Sequence, residues 1–204
     1  MRSERLLSAF GSGWFFVLAI LSITAVTRSD ASTSLMLARS SIVVLYLLFG
    51  VLILVRPAAK SCDRGLLPRA MAFIGTYTPW TIGFVPFTDY NTANLLSPIL
   101  VFGGMILAIA TLFHLKTAFS LVPQGRFVVH SGPYRWLRHP LYVAEEIAVL
   151  GVLLQHLTPL AILIVVAHIA VQIGRVHYEE RLLRETFPEY RALSADWRLV
   201  PFVY

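Results

Sequence analysis

Charge is what this sequence has least of. Asp, Glu, Lys and Arg make up 14% of its 204 residues, where a soluble domain has about 25%. Hydrophobic residues make up 57%, and the mean hydropathy of +0.71 implies a chain embedded mostly in lipid. Cysteine is nearly absent. The single Cys62 excludes an intrachain disulfide and any Cys-based metal site, and in its polar loop it reads as a bystander thiol. No Gly/Ser or Pro-rich linker divides the chain, so it reads as one integral membrane domain, 1–204. The apolar N-terminal part covers 1–114 and the chemistry-bearing part covers 115–204. The net charge of +6 does not signal nucleic acid, because the basic residues cluster beside apolar spans. The histidines lack tight metal-ligand spacing, so no metal site is expected.

Crossing the hydrocarbon core takes about 20 mostly apolar residues. Spans are expected at 10–28, 37–55, 69–87, 95–115, 140–156 and 159–175, the first of them uncleaved. The fold class is therefore all-α: a polytopic transmembrane helix bundle of six spans, with five as the alternative. It ends in a helical hairpin and a short cytoplasmic helical tail. The third span carries Gly75, Thr76, Thr78, Pro79, Thr81 and Gly83, so it should pack inside the bundle or kink. Pro159 can open a helix after Thr158, which makes 140–175 a tight hairpin. Short loops rich in Lys and Arg stay in the cytoplasm. Arg56, Lys60, Arg64 and Arg69 follow span two, and Lys116, Arg126, Arg135 and Arg138 follow span four. The first outer loop, with Arg28 and Arg39 against Asp30, fits this pattern least, and the loop after span three has only Asp89.

Three features converge on the cytoplasmic side. In the loop before span five, Tyr134, Arg135, Trp136, Arg138, His139 and Tyr142 fall within nine positions. An aromatic belt and snorkelling arginines account for part of that set but not all of it. Glu145 and Glu146 follow inside the span. Acidic groups are costly there and face protein or water, so they either pair with Arg135 or Arg138 or floor a cavity. At the end of span six, Arg175 and Glu179 are four apart and share a helix face if the helix continues, as an ion pair or as two ligand contacts. In the tail, Leu182, Leu183 and Phe187 repeat at helical spacing, and Pro188 interrupts them before a second short helix at 189–193. His114 and His168, inside apolar spans, are expected to hydrogen-bond neighbouring helices.

The run Ser131-Gly132-Pro133-Tyr134-x-x-x-Arg138-His139-Pro140-x-Tyr142 resembles the signature of the isoprenylcysteine carboxyl methyltransferase family, related to the phospholipid methyltransferases. A second block, Arg175-x-x-x-Glu179-Glu180-x-x-Leu183 followed by Phe187, Tyr190, Arg198 and Pro201, resembles the rest of it. Together they cover roughly 115–204. Ala144 stands where many members have Gly and Leu193 where many have Tyr, while Glu145 and Glu146 lie outside the general signature.

The resemblance implies a multi-pass integral membrane methyltransferase that uses S-adenosyl-L-methionine in a cytoplasm-facing pocket. Its acceptor would be a lipophilic or small molecule with a carboxylate, thiol or amine, reached among membrane lipids. By position, Arg126, Phe127, Val128, Val129, Tyr134, His139, Pro140, Leu141, Tyr142 and Glu179 are the implied cofactor contacts, and Arg175 the implied catalytic residue that holds the acceptor. Two other classes compete. Membrane sterol reductases, which use NADPH, look similar towards their C-termini, but this chain is short for them and has no Gly-rich dinucleotide fingerprint. A transporter or assembly protein would use the same cavity without catalysis, but no internal repeat is present to favour a transporter.

Overall fold

The computed structural model describes residues 2–27, 33–86, 88 and 91–193. Arg28, Asp30, Asp89, Arg198 and Pro201 lie outside the described residues. Among the described residues the chain is all-α apart from one two-residue ladder. Its helices are α1 (Arg2–Thr27), α2 (Thr33–Val55), α3 (Leu66–Ile82), α4 (Asn91–Leu115), α5 (Pro140–Gln155), α6 (Pro159–Thr186) and α7 (Pro188–Leu193). By length and composition two stretches can cross a membrane, Leu96–Ala118 and Pro159–Thr186. Two shorter apolar helical stretches are Ala9–Thr24 and Arg39–Val55. The face of α6 that carries Leu160, Leu163, Val166, Ile169 and Ile173 is exposed, as lipid-facing side chains are.

Helices meet where side chains are smallest. A methyl group on Gly104 of α4 would lie 2.7 Å from Ala148 N and 2.8 Å from Ala144 O on α5, and one on Gly151 would lie 2.8 Å from Val101 N. The close approach of α4 to α5 therefore rests on Gly104 and Gly151, with Ala144 fully buried against them. On the other side, α3 meets α6 with Gly75 against the Arg175 side chain and Gly174 against Met71. The first two helices are joined by Ser12, whose hydroxyl donates to Gly50 O at 2.8 Å, and by Phe15 packed edge-on against Phe49. Phe49 in turn stacks on Phe119, just beyond α4, at 4.6 Å between ring centres.

α3 packs through one face: Ala72, Gly75 and Ile82 are buried while Phe73, Ile74 and Trp80 are exposed. Pro79 removes one backbone donor, and the hydroxyls of Thr76 and Thr78 donate back to Ala72 O and Ile74 O. The hairpin break also falls as read. The N-cap Thr158 accepts from Ala161 N, with Pro159 in the first turn.

Some boundaries differ. The third span, expected at 69–87, is helical over Leu66–Ile82. The apolar pattern stops near Arg175, yet α6 runs on without interruption to Thr186. The helix outlasts its apolar stretch because its last turns pack on the loops rather than in lipid. Thr186 donates to Ser61 Oγ at 2.7 Å, and Arg181 pairs with Asp63 at 3.0 Å.

A feature with no sequence signal joins the two basic loops. Ser61–Cys62 (β1) pairs antiparallel with Gln124–Gly125 (β2), in register Ser61 to Gly125 and Cys62 to Gln124. Lys60 N and Asp63 N extend the ladder to Gly125 O and Pro123 O. The loop after α2 and the loop after α4 thus lie together at one end of the bundle.

Candidate active site

At that end a cavity opens between the loop 115–129, the start of α5 and the last turns of α6. Gly132 begins its construction. It sits at φ +58°, and a methyl group there would fall 2.3 Å from the His114 ring, so only glycine serves. His114 itself bonds Ala110 O within its own helix rather than a neighbouring helix. The 3-10 turn Gly132–Arg135 then drives Tyr134 inward, where it is buried. Burial, reinforced by the nearby carboxylates of Glu179 and Glu145, holds its phenol well above the ordinary tyrosine range. It remains a neutral donor.

His139 is the residue before α5, and Pro140 occupies the first turn. The missing N–H of Pro140 costs nothing there, and its ring is fully buried behind the cavity wall. Among the residues implied to touch the cofactor or acceptor, Arg126, Phe127, Val128, Val129, Tyr134, His139, Leu141, Tyr142, Arg175 and Glu179 line the cavity, and Pro140 does not.

The adjacent carboxylates Glu179 and Glu180 do different work. Glu180 is 8% exposed and saturated with donors. Arg138 Nη1 donates to Oε2 at 3.0 Å, His139 Nε2 to Oε1 at 2.8 Å, the Tyr190 hydroxyl also to Oε1, and Arg184 to Oε2 at 3.1 Å. Burial, and then this bond to Glu180, push the Tyr190 phenol well above its usual range. Glu180 therefore ties the loop, the start of α5 and α7 to α6. Glu179 accepts from the Tyr142 hydroxyl at 2.9 Å through Oε2, and its side chain is 36% exposed to the cavity. His139, held by Glu180, turns Nδ1 toward Glu179 at 4.0 Å.

Arg175 is 6% exposed, and no carboxylate among the described residues lies within ion-pair distance of it. Its Nη1 donates to Gln172 Oε1 at 2.6 Å, its Nη2 reaches Leu121 O at 3.4 Å, and its guanidinium lies 5.0 Å over the Tyr142 ring. Of the two alternatives for Arg175 and Glu179, the ion pair does not form, because Glu179 turns to Tyr142. Nor do Glu145 and Glu146 pair with Arg135 or Arg138. Glu145 is answered from α6, where Gln172 Nε2 donates to its Oε2 at 3.0 Å; His168 Nε2 lies 3.0 Å from Glu146 Oε1 without hydrogen-bond geometry. Arg126 braces the loop, donating to Pro57 O at 2.9 Å and Gln124 Oε1 at 2.8 Å.

Several participants carried no sequence signal. Phe49 and Thr76 supply wall from the N-terminal half. Gln172 had no motif to mark it, and the bracing role of Glu180 was not separable from that of Glu179.

The chemistry of the donor set fits a nucleoside with an amino-acid tail. Glu179 offers an acceptor oxygen for hydroxyls or an ammonium. Phe127–Val129 offer backbone groups outside any helix or ladder. Arg175 is a buried cation whose hydrogen bonds among the described residues go to neutral oxygens, with Glu145 held on the same Gln172 amide.

Residues 93–190 match the model of a family described as phospholipid methyltransferase. The resemblance read from the two signature blocks is thereby borne out, and the match extends upstream through α4 and ends at Tyr190. No curated protein matches, and no solved structure matches. The family implies methyl transfer at a membrane.

Proposed function

We propose, on the premise that residues 93–190 are a phospholipid methyltransferase family region, that the chain transfers a methyl group from S-adenosyl-L-methionine to a lipophilic or small acceptor at the cytoplasmic face of a membrane. The observation that carries this reading is the meeting of the two signature blocks in one cavity, with Glu179 bonded to Tyr142 and Arg175 lying over the same ring. Six helices, α1–α6, cross the bilayer. The basic residues after α2 and after α4 share the end that holds the cavity, which supports a cytoplasmic assignment of that end.

The cofactor supplies a methyl group already activated on a sulfonium. The protein's task is alignment of acceptor and methyl. Glu179 holds hydroxyls or the ammonium of the cofactor, with Tyr142 fixing the carboxylate. Phe127–Val129 and Tyr134 flank the purine. Arg126 and His139 hold the walls. Arg175 orients the acceptor and stabilises its negative charge.

Calorimetry on detergent-purified protein tests these roles. Glu179→Gln weakens S-adenosylhomocysteine binding about tenfold or more, as loss of a charge-assisted hydrogen bond does. Unchanged affinity removes Glu179 from the cofactor site. Arg175→Ala keeps cofactor affinity within about threefold while methyl transfer falls by about a hundredfold or more, a loss typical of removing one stabilising charge. Collapse of cofactor binding in that variant makes Arg175 a cofactor ligand instead. Binding of NADPH with no response to either adenosyl ligand overturns the methyltransferase reading.

A further inference from the structure

A second cavity, of about 170 Å³, lies deeper in the bundle and shares three wall residues with the first: Phe49, Thr76 and Glu145. Its other walls are apolar and aromatic, among them Phe15, Tyr46, Trp80 and Met105, with His168 the one further titratable group of the non-tyrosine kind lining it. Glu145 stands where the two spaces adjoin. Its Oε2 accepts from Gln172, and its Oε1 has no hydrogen-bond partner among the described residues. The same Gln172 amide accepts from Arg175 through its oxygen. One side-chain amide thus holds a cation and an anion at the mouth of an apolar chamber.

That pair of charges selects among acceptors. A carboxylate drawn to Arg175 meets the negative charge of Glu145. An ammonium drawn to Glu145 meets the positive charge of Arg175. A neutral X–H nucleophile opposes neither, and it becomes anionic beside Arg175 only as its proton leaves. The chamber has room for an apolar ring, since an engineered apolar cavity of about 150 Å³ accommodates benzene.

Resting on the function proposed above, we infer that the acceptor bears a thiol or phenol on an apolar body, that this body enters the inner chamber, and that Glu145 accepts its proton. In the transfer, a bond forms from the acceptor's sulfur or oxygen to the methyl carbon as the carbon–sulfonium bond breaks. The electrons of the broken bond neutralise the sulfonium sulfur, and the acceptor's proton moves to Glu145 Oε1. The titratable groups around Glu145 are Tyr142 and Glu146 on its own helix, Arg175 and His168 on α6, and Tyr134 from the loop.

The test uses the purified protein with four probes that share one aromatic ring: benzyl mercaptan, phenol, benzylamine and phenylacetate. Binding is read as thermal stabilisation in the presence of S-adenosylhomocysteine, and turnover as labelled methyl transfer. The expected result is that benzyl mercaptan or phenol stabilises the wild type and is methylated, while benzylamine and phenylacetate do neither. Glu145→Gln keeps S-adenosylhomocysteine affinity, loses at least tenfold of thiol turnover near neutral pH, and regains part of it as the pH rises and free thiolate forms. The same variant now binds phenylacetate, because Arg175 no longer has an opposing carboxylate nearby. This gain of binding is a readout that a merely misfolded variant cannot give.

Methylation of phenylacetate or benzylamine by the wild type at rates matching the thiol overturns the inference. So does a Glu145→Gln variant with wild-type turnover. Indifference to all four probes, with S-adenosylhomocysteine still bound, overturns it while the methyltransferase reading stands. Failure to bind S-adenosylhomocysteine removes both.

Discussion

Glu180→Ala destabilises the loop-bearing end of the bundle by about 3–5 kcal/mol, the cost of stripping one partner from a buried ion pair. The magnitude follows from what is left behind. Arg138 and His139 have side chains 5% and 3% exposed, and both are answered by this one carboxylate. Without it a guanidinium remains inside the protein with no counter-charge, and Tyr190 loses the acceptor that holds α7. Arg184 contributes little to the figure, because its side chain is 48% exposed and such pairs are largely screened by solvent. Glu180→Gln keeps one acceptor oxygen and loses the charge, so its cost is smaller. Denaturant titration in mild detergent, followed by near-ultraviolet circular dichroism, measures both variants. A Glu180→Ala protein within about 1 kcal/mol of wild type means that the four bonds are not a brace.

Gly132→Ala is the second large effect, and it separates two causes. The αL backbone at Gly132 costs an L-residue about 1–2 kcal/mol, and the new methyl group meets the His114 ring at 2.3 Å, an overpacking worth about 1–3 kcal/mol. The turn that buries Tyr134 begins here, so cofactor affinity falls along with stability. His114→Ala removes the ring. In that background, adding Gly132→Ala keeps the backbone penalty and sheds the steric one. The double variant is therefore more stable than the sum of the two single losses predicts. Strict additivity shows that the ring is not what excludes a side chain at this position.

The candidate site was legible in the sequence wherever spacing fixes geometry. Pro159 reverses the chain, so the start of α5 and the end of α6 must meet at one end, and Tyr142 and Glu179 do meet. The division of labour between Glu179 and Glu180 was not legible. Successive helical residues point about 100° apart, so one of the two faces the cavity and the other the brace, and only the packing of neighbours decides which. Of the two alternatives for Glu145 and Glu146, pairing with Arg135 or Arg138 does not occur, because the hairpin places α6, with Gln172 and His168, beside them while Arg138 is drawn away to Glu180; Glu145 does line the cavity. The β1–β2 ladder, two residues on each side, is too short to leave an alternating pattern. The continuation of α6 was hidden because apolar periodicity reports the lipid-facing or core-facing stretch of a helix, not its hydrogen-bonded length. Phe49 and Thr76 belong to helices whose composition marks them only as apolar, and they enter the cavity through the stacking of Phe49 on Phe119 and the close approach of α3 to α6 at Gly75.

The most direct test of the central claim is to crosslink labelled S-adenosyl-L-methionine to the purified protein with ultraviolet light and map the label by mass spectrometry. The account predicts label within 126–142 and around Glu179, lost on competition with S-adenosylhomocysteine and reduced in Glu179→Gln. Specific, competable label confined to α1, α2 or the lipid-facing side of α6 contradicts it.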